Sequence, residues 1–562
     1  MSDLPKEMSK ENTLPELLQA LTEEQRVEIL SQPRQKRLEA LSLATGKSED
    51  AVLTELARNV GLEQNLPDEE AFKEITELPA RLIYEYQCLP FRPAENGTLF
   101  LTTVWPPDEE MNEWIYAVCG KEVEWALAPP DKVAGFLTQK LGVGFESLDD
   151  STLEILEEKE DEDEEDETAT IVRFVNDVVR QAVEDGATDI HMEPQEEFLR
   201  IRYRIDGLLL PIPVPENLRR YQEAIISRIK IMSKMNISER RLPQDGRINF
   251  QFRDSDLDIR VSTIPTMYGE SVSLRLLNKS SKPFTMEELG LLPEDRKVIN
   301  QVLHLPYGII LVTGPTGAGK STSLNAFIRE INSPEKRILT VEDPVEYEVP
   351  GVNQIQVRPE IGLEFAGALR HILRQDPDVI MVGEIRDRET ADISIRASLT
   401  GHLVFSTLHT NDAPSALTRL TDMGIEPFLI ASAVELVMAQ RLIRRLCSQC
   451  AREEPVDLQA LRADLVYLGI DPTEADKVQA LKRPVGCDVC RNMGFRGRVG
   501  IFEILRVGES LHDLIVNRQS AREFRKVASK EGMKDLRYSG WEQVQRGRTT
   551  MEEVMRVMSM DG

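Results

Sequence analysis

A glycine-rich octapeptide that directly follows an apolar run places the strongest constraint on how this chain can fold. The octapeptide is Gly314-Pro-Thr-Gly-Ala-Gly-Lys-Ser321, and the run before it is Gly308-Ile-Ile-Leu-Val-Thr313. Every fixed position of a P-loop is occupied by the residue that the motif requires. Glycines let successive backbone N–H groups converge on phosphates without Cβ clashes, and the lysine adds a point charge. The octapeptide therefore predicts a strand, a phosphate-binding turn and a helix, in that order.

The flanking residues fit this prediction. Ile309–Val312 is typical of a buried strand, and Ser321–Ile331 has its apolar residues at helical spacing. In this setting the motif predicts binding of ATP or GTP, with the Ser321 hydroxyl as a ligand of Mg²⁺. The predicted nucleotide-binding residues are Gly314, Pro315, Thr316, Gly317, Ala318, Gly319, Lys320 and Ser321.

Length and composition predict several domains of ordinary soluble composition. The chain has 562 residues, of which 41% are hydrophobic and 29% are charged. No run approaches the roughly 18–20 apolar residues of a transmembrane helix, and the first residues lack a basic segment followed by an apolar one. We therefore expect a cytoplasmic location. The net charge of −28 argues against general binding of nucleic acid.

An acidic run divides the chain into two unequal parts. Glu157–Glu167 contains one lysine and otherwise only acidic residues, so that it repels itself and buries no apolar surface. We expect an extended linker over residues 146–168. Residues 1–145 are predicted to form a small, largely helical α/β adaptor module that also contains a strand at Thr98–Val104. A nucleotide-sensing role is the alternative for this module, but no recognisable motif supports it.

Alternating strands are predicted after the linker and one amphipathic helix. The helix covers Ile171–Ala182, and the strands cover Leu199–Ile205, Ile248–Phe252, Leu257–Val261 and Val272–Leu276. They place five arginines on one face: Arg200, Arg202, Arg204, Arg260 and Arg275. Two interpretations stay open. The face is either solvated and balanced by Asp254, Asp256 and Asp258, or some of its arginines reach a nucleotide.

Two predicted strands beyond the P-loop are followed by acidic residues. Arg337–Val341 leads to Glu342, and Val379–Val382 leads to Glu384. In a parallel nucleotide-binding sheet the carboxyl ends of the strands face the ligand, so that these acids are placed to hold Mg²⁺ or to polarise water. The second site departs from the commonest form of the motif, because Gly383 stands between the strand and the acid.

Two basic segments lie between and after these strands. Arg370 and Arg374 are four residues apart, which predicts one helix face. His402 and His409 flank a predicted buried strand, Leu403–Ser406. We expect both histidines at the edge of the active site rather than in the core.

Four of the six cysteines form two CxxC pairs, which are Cys447 with Cys450 and Cys487 with Cys490. Such pairs suit tetrahedral Zn²⁺, since each short turn presents two thiolates to one ion. Disulfides are the alternative, and a reducing cytosol disfavours them. Four protein ligands leave no open position, so that the predicted zinc site is structural.

The chain resembles the type II secretion and type IV pilus assembly ATPases, which belong to the secretion superfamily of P-loop motors. The resemblance is carried by GPTGAGKST, ILTVEDPVEY, RQDPDVIMVGEIRD and TGHLVFSTLHTNDA, and by the two CxxC pairs. It extends back to ATDIHMEP and RLPQDGR and forward to GFRGRVGIFE, over about 390 residues. Residues 1–145 match the family's N-terminal module only loosely.

The resemblance implies an α/β chain with three parts. These are the adaptor module, a PAS-like α/β domain over 169–285, and a RecA-like P-loop ATPase domain over 286–562 that includes a zinc subdomain at about 441–500. It adds Thr322 to the nucleotide-binding residues and makes Glu342 and Glu384 the activating or water-positioning carboxylates, without saying which is the base. Arg260 and Arg275 align with arginines placed over the γ-phosphate, and Arg370 and Arg374 align with a further pair.

The function that the resemblance implies is that of a homohexameric motor. It would hydrolyse ATP in the cytoplasm, dock on an inner-membrane platform through residues 1–145, and assemble a pilus-like fibre that drives protein secretion. Extension of a type IV pilus is the nearest alternative. A DNA-translocating ATPase on the same core is a third interpretation, and the acidic net charge disfavours it.

Overall fold

The structure is a computed structural model. It describes residues 16–559, with gaps at 20, 33, 75–82, 84–85, 96–97, 109–110, 113–114, 117–118, 120, 142–163, 254 and 279–283. Most of the predicted linker and Asp254 therefore lie outside the described residues. The chain divides into two compact units. One comprises the residues up to Phe250, with Asp258–Leu276 and Val485–Gly494; the other comprises Gln251–Leu257, Leu277–Pro484 and the residues from Phe495 onward.

The N-terminal module combines short helices with a mixed sheet, as the sequence predicts. Its helices are α1 (Glu16–Gln19), α2 (Glu23–Ser31), α3 (Arg34–Thr45), α4 (Glu49–Val60), α5 (Glu69–Glu74) and α6 (Pro130–Leu141). Its strands are β1 (Glu63–Gln64), β2 (Leu89–Glu95), β3 (Thr98–Thr103) and β4 (Glu122–Leu127), in the order β1-β4-β3-β2. Leu53, Leu101 and Val133 belong to one buried apolar cluster that joins the helices to the sheet.

The next helix is longer than predicted. Helix α7 (Glu164–Glu184) begins inside the acidic run, so the prediction of an extended linker up to residue 168 is wrong for its last residues. Acidic residues are favourable in the first turn of a helix, because the N-terminal end of the helix dipole is positive. The sequence does not reveal this helix start, since an acidic stretch is also typical of a linker.

A six-stranded sheet follows α7; β6 has its predicted bounds, and the other three predicted strands are longer than expected. They are β5 (Ala187–Pro194), β6 (Leu199–Ile205), β7 (Leu208–Ile212), β8 (Gln244–Phe252), β9 (Ser255–Thr266) and β10 (Gly269–Asn278). The order is β7-β6-β5-β10-β9-β8, and helix α8 (Gln222–Met232) lies between β7 and β8 in the chain. Along β6 the residues alternate between buried and half-buried, as expected for a sheet with one covered face.

The arginine-rich face of this sheet is balanced by a strand that the sequence did not indicate. Glu193 on β5 accepts from Arg200 Nε at 2.8 Å and from Arg202 at 2.5 Å. Asp189 on the same strand accepts from Arg275 Nε at 3.1 Å. The expected partners Asp256 and Asp258 are not in these pairs, because β5 lies between β6 and β10 and presents its acids to both neighbours.

The P-loop lies in a seven-stranded sheet. Its strands are β11 (Gly308–Thr313), β12 (Ile338–Glu342), β13 (Asn353–Gln356), β14 (Val379–Val382), β15 (Leu403–Leu408), β16 (Val434–Leu446) and β19 (Phe495–Arg506), in the order β13-β12-β14-β15-β11-β16-β19. The first six are parallel, and β19 is antiparallel to β16. Every residue of β11 is buried, which explains its unbroken apolar sequence.

Helices cover both faces of this sheet. They are α9 (Pro293–Leu303), α10 (Lys320–Ile331), α11 (Phe365–Ile372), α12 (Arg388–Leu399), α13 (Ala413–Asp422) and α14 (Pro427–Ala433). Ile309 and Leu311 belong to the apolar cluster on one face, whereas Ile310 and Val312 belong to the cluster on the other. This alternation follows from the two-residue period of a strand. The predicted α/β fold class is confirmed.

The last part of the chain adds a small two-stranded antiparallel sheet and a group of helices. The sheet pairs β17 (Arg452–Pro455) with β18 (Ala480–Arg483). The helices are α15 (Leu458–Tyr467), α16 (Glu509–Val516), α17 (Ala521–Lys530), α18 (Leu536–Gln545) and α19 (Met551–Ser559). Among the described residues, no helix is both long enough and apolar enough to cross a bilayer.

Candidate functional site

The P-loop connects β11 to α10 through a backbone that only glycine adopts readily. Gly317 and Gly319 have φ of 78° and 86°, in the left-handed region, and the helix begins at Lys320. Its first free N–H groups and the positive end of its dipole therefore lie at the loop, which is the usual arrangement for an anion. Ser321 is exposed, so that its hydroxyl is available to a metal ion.

Lys320 lies against the loop and near an acidic strand end. Its Nζ donates to the carbonyl oxygens of Gly314 at 2.7 Å and Pro315 at 3.1 Å. Burial lowers the pKa of Lys320 to about 8, while the Glu384 carboxylate opposes this shift and the Arg441 guanidinium adds to it. The P-loop lysine and Glu384 are thus close enough to interact electrostatically.

Glu384 lies at the end of β14 with two basic neighbours. Arg386 forms an ion pair with one of its oxygens, and His409 Nε2 lies 3.4 Å from the other. The structure explains why a glycine stands at position 383, between β14 and Glu384. Its N–H donates to Val341 O at 2.8 Å, and a Cβ there would stand 3.3 Å from the Glu342 Cα. Glycine allows the ends of β14 and β12 to approach each other.

Glu342 is the last residue of β12, the neighbour of β14, and its side chain is buried. Its Oε1 accepts from Thr340 Oγ1 at 2.6 Å and from Gln354 Nε2 at 2.9 Å. Burial raises the pKa of the Glu342 carboxyl, although these two hydrogen bonds lower it. A carboxylate with a raised pKa takes up a proton more readily, which suits a general base.

The two histidines lie at opposite ends of β15, which extends two residues beyond the predicted strand. His409 follows the strand and contacts Glu384, as expected of a residue at the edge of the site. His402 precedes the strand, about 20 Å away along a six-residue strand of ordinary rise, and its Nδ1 lies 2.9 Å from Ala397 O. The structure does not bring His402 to the acidic strand ends.

The four predicted arginines lie on three elements and in one turn. Arg370 lies on α11 and pairs with Glu389, whereas Arg374 lies beyond the end of that helix. The expectation that the two share one helix face is therefore wrong. The helix ends at Ile372, a few residues before Asp376-Pro377, and proline disfavours helix just ahead of it. Arg260 and Arg275 lie on β9 and β10, and their approach to a nucleotide stays a prediction.

Two basic residues near the P-loop were not among the site residues predicted from the sequence. Arg386 contacts Glu384, and Arg441 on β16 is buried with its guanidinium donating to Gln440 O and Asn411 O, both at 3.0 Å. Arg386 is two residues from Glu384, a proximity that the sequence does show. Arg441 is 121 residues beyond Lys320 in the chain, and only the pairing of β11 with β16 reveals that the two are neighbours.

The four cysteines of the CxxC pairs form one cluster. Their Sγ atoms all lie within 4.8 Å of one another, and the Cys487 and Cys490 sulfurs are 3.7 Å apart. Four sulfurs about 2.3 Å from a tetrahedral Zn²⁺ would be roughly 3.8 Å apart, so the cluster fits this ion. Two backbone N–H groups, of Cys487 and Gly494, point at Cys490 Sγ from 3.2 and 3.3 Å and would stabilise a thiolate. The cluster can hold a metal such as zinc.

Comparison with protein families assigns most of the chain. The family described as "Type II/IV secretion system protein" matches residues 164–556, and the "MshEN domain" matches residues 54–142. The first match covers the six-stranded sheet, the P-loop and the cysteine cluster. The second falls within the N-terminal module.

Individual relatives agree with the family match. The chain is 41% identical to the "Type II secretion system protein HxcR" of Pseudomonas aeruginosa, over 83% of this chain and 96% of the relative. It is 45% identical to the "Type IV pilus assembly ATPase PilB" of Myxococcus xanthus, over 72% of this chain and 70% of the relative. The Legionella pneumophila ATPase DotB, at 21% identity and a TM-score of 0.50, shares the fold over 69% of this chain and 95% of its own. The resemblance and the ATPase activity predicted from the sequence are confirmed, and the chain belongs to the type II/IV secretion system protein family.

Proposed function

We propose that this ATPase powers assembly of the pilus-like fibre of a type II secretion system and so drives protein export across the outer membrane. The observation that carries the proposal is the convergence of a complete P-loop with the acidic end of β14, where Glu384 interacts with Lys320. The secretion relative HxcR supports the choice of pathway, because it is 41% identical over 83% of this chain and 96% of its own length.

The chemistry divides between the two strand-end carboxylates. Glu342 acts as the base that takes the proton of the attacking water, since burial raises its pKa. Glu384 acts with Ser321 on the metal side of the site, because it lies near the P-loop lysine and its carboxylate contacts Arg386 and His409. Mg²⁺ held there would neutralise charge that develops on the phosphate oxygens. Residues 314–322 hold the phosphates, with Lys320 as the point charge and Thr322 beside Ser321 at the start of α10.

The arginines complete the proposal. Arg260, Arg275, Arg370 and Arg374 supply positive charge to the γ-phosphate in the assembled motor. Arg275 already has a carboxylate partner in Asp189, and Arg370 has one in Glu389, so each would exchange that partner for phosphate. His402, at the far end of β15, would act through the packing of that strand rather than on the phosphates.

We also propose that Cys447, Cys450, Cys487 and Cys490 hold a structural Zn²⁺. The spacing of the sulfurs supports it, and four protein ligands leave no position for a reacting water. The ion would hold together the two ends of the segment between Cys450 and Cys487, which contains the two-stranded sheet and α15.

The working assembly is a homohexamer in the cytoplasm at the inner membrane. The N-terminal module, residues 1–145, is the part we assign to the membrane platform, because the nucleotide chemistry needs none of its residues. A type IV pilus extension motor is the second candidate, which the 45% identity to PilB supports.

Two measurements on the same protein test the proposal. Purified wild type should hydrolyse ATP, weakly without the platform, and Lys320→Ala should not; equal rates would remove the P-loop from the mechanism. Crosslinking in the source cells, followed by identification of the membrane proteins recovered, decides the pathway. A secretion-type partner with an actin-like cytoplasmic domain supports secretion, whereas a pilus platform without that partner favours pilus extension.

A further inference from the structure

A buried glutamine on β16 links two parts of the P-loop. Gln440 is 2% exposed, and its Nε2 donates to the Ala318 carbonyl oxygen at 2.6 Å. Its Oε1 accepts from Ser323 Oγ, in the first turn of α10, at 2.8 Å. Ala318 and Ser323 are themselves 3% and 1% exposed. One amide thus joins the turn that precedes Lys320 to the helix that follows it, away from water.

The position of Gln440 follows from the register of the sheet. The last pair between β11 and β16 is Thr313 with Ala439, so that Gln440 is the first residue of β16 beyond the point where β11 turns into the loop. The backbones are close here. A Cβ on Gly314 would stand 2.6 Å from Gln440 O, and that same carbonyl accepts from Arg441 at 3.0 Å.

We propose that Gln440 is a positioning residue for nucleotide binding, because it fixes the direction of a P-loop peptide group. The C=O and N–H of a trans peptide point in opposite directions. A donor that holds the Ala318 carbonyl on the β16 side therefore turns the Gly319 N–H to the other side. Gly319 has φ of 86° and, as a glycine, has no Cβ that would restrict rotation of this peptide group. A contact from outside the loop must therefore fix its direction.

The consequence is a binding effect without direct contact. In a P-loop the backbone N–H groups cradle the phosphates, and a carbonyl oxygen turned inward would repel them. If the bond from Gln440 is removed, the Ala318 carbonyl is left buried without its partner and the peptide is free to rotate. Pre-organisation of the cradle is then lost, and nucleotide binding must supply that ordering.

The test is Gln440→Met, which keeps the length and removes the donor without burying a charge. We expect the Kd for ATP to rise about tenfold, from the loss of one buried hydrogen bond, and KM to rise with it while kcat changes by less than about twofold. The matched control is Gln543→Met. Gln543 is also fully buried and donates to a backbone carbonyl, that of Gly290, at 2.9 Å. It should lower the melting temperature of the nucleotide-free protein but leave the Kd for ATP unchanged.

The inference rests on the proposed nucleotide site, and the experiment separates the two. Wild-type protein and Lys320→Ala are measured alongside; equal ATP binding by these two would overturn the proposed site itself. If they differ while Gln440→Met binds like the wild type, or if both glutamine variants lose affinity equally, the positioning role is wrong. Should Gln440→Met not fold, Ser323→Ala takes its place. It removes the anchor of the amide, so we expect about a threefold rise in Kd, and an unchanged value there would also overturn the inference.

Discussion

His409 Nε2 lies 3.4 Å from Glu384 Oε2, so that the residue following β15 contacts the carboxylate that follows β14. The two strands are neighbours in a parallel sheet, and their carboxyl ends therefore meet at one edge. Glu342 ends the next strand, β12, but its side chain is buried and bonded to Thr340 and Gln354. The two carboxylates thus occupy different environments, which predicts different roles.

The first prediction separates these roles through Mg²⁺. Glu342→Gln should lower kcat by about 10²–10³, the usual loss of a general base, with the Mg²⁺ concentration for half-maximal activity unchanged. Glu384→Gln should also hydrolyse ATP poorly but should need at least several-fold more Mg²⁺, because a metal-side acceptor has lost its charge. ATP binding should persist in both. Rates measured across a Mg²⁺ titration provide the comparison.

Thr340→Val is a suitable control for the Glu342 variant. It removes one hydrogen bond to Glu342 without touching the carboxylate, so a modest change in the pH dependence of kcat is expected rather than a loss of turnover. Wild-type rates in both glutamine variants would contradict the proposed mechanism. An equal shift in Mg²⁺ requirement would contradict the division of labour between the two acids.

The second prediction concerns metal content. Wild-type protein should contain about one Zn²⁺ per chain, and changing both Cys447 and Cys450 to serine should remove it. The melting temperature should fall as well, because a structural metal contributes directly to folding free energy. Elemental analysis of both proteins measures the zinc content, and thermal melting measures the melting temperature. Cys119→Ser is the control, since Cys119 lies outside the cluster and its change should leave the metal in place.

The sequence predicted those features of this molecule that depend on local pattern. Strand β6 and strand β14 have the bounds that alternation and apolar runs indicated, and the P-loop turn lies where its glycines placed it. The parts it missed depend on contacts between distant segments. Glu193 neutralises arginines of a neighbouring strand, and Gln440 reaches the P-loop only because β16 pairs with β11. No periodicity within a segment carries this information.

The position of His402, apart from the acidic strand ends, has a related reason. Both histidines are next to the same short strand in the sequence. Strand β15 ends two residues later than predicted, and His409 still follows its carboxyl end. The direction of the strand mattered more. The two ends of a strand lie on opposite edges of a sheet, and only the carboxyl edge carries Glu342 and Glu384.

A third prediction concerns a buried charge on the last helix. Glu553 is 1% exposed and accepts from Arg444 Nε at 3.0 Å and from Arg556 Nε at 2.8 Å. Glu553→Ala would leave two guanidinium groups without this carboxylate partner. We expect the free energy of unfolding to fall by about 3–5 kcal/mol. Its neighbour Glu552 pairs with Arg483 through an exposed contact, with a side chain 57% exposed. Glu552→Ala should cost less than about 1 kcal/mol. Urea unfolding of the two variants makes the comparison, and similar midpoints would contradict it.

The last prediction is a pH dependence of stability. Burial, with a contribution from the nearby Glu542 carboxylate, raises the pKa of Asp295 to about 6, although the Lys534 ammonium opposes the shift. An unfolded aspartate titrates near pH ~4. Between these values the folded chain holds a proton that the unfolded chain has released, so this group makes the protein less stable as the pH rises from about 4 to 6.

Asp295→Asn removes that penalty. We expect the variant to be more stable than the wild type by about 1–2 kcal/mol at pH 7–8, with the difference shrinking toward pH 5. Glu294→Gln is the matched control, because Glu294 is exposed and lies in the same first turn of α9, so that both variants lose one negative charge at the same helix end. Thermal melting of the three proteins from pH 5 to pH 8 measures the effect. A gain that is equal in both variants would assign it to the loss of one negative charge rather than to the burial of Asp295, and a gain that is independent of pH would show that the Asp295 carboxyl does not titrate in this range.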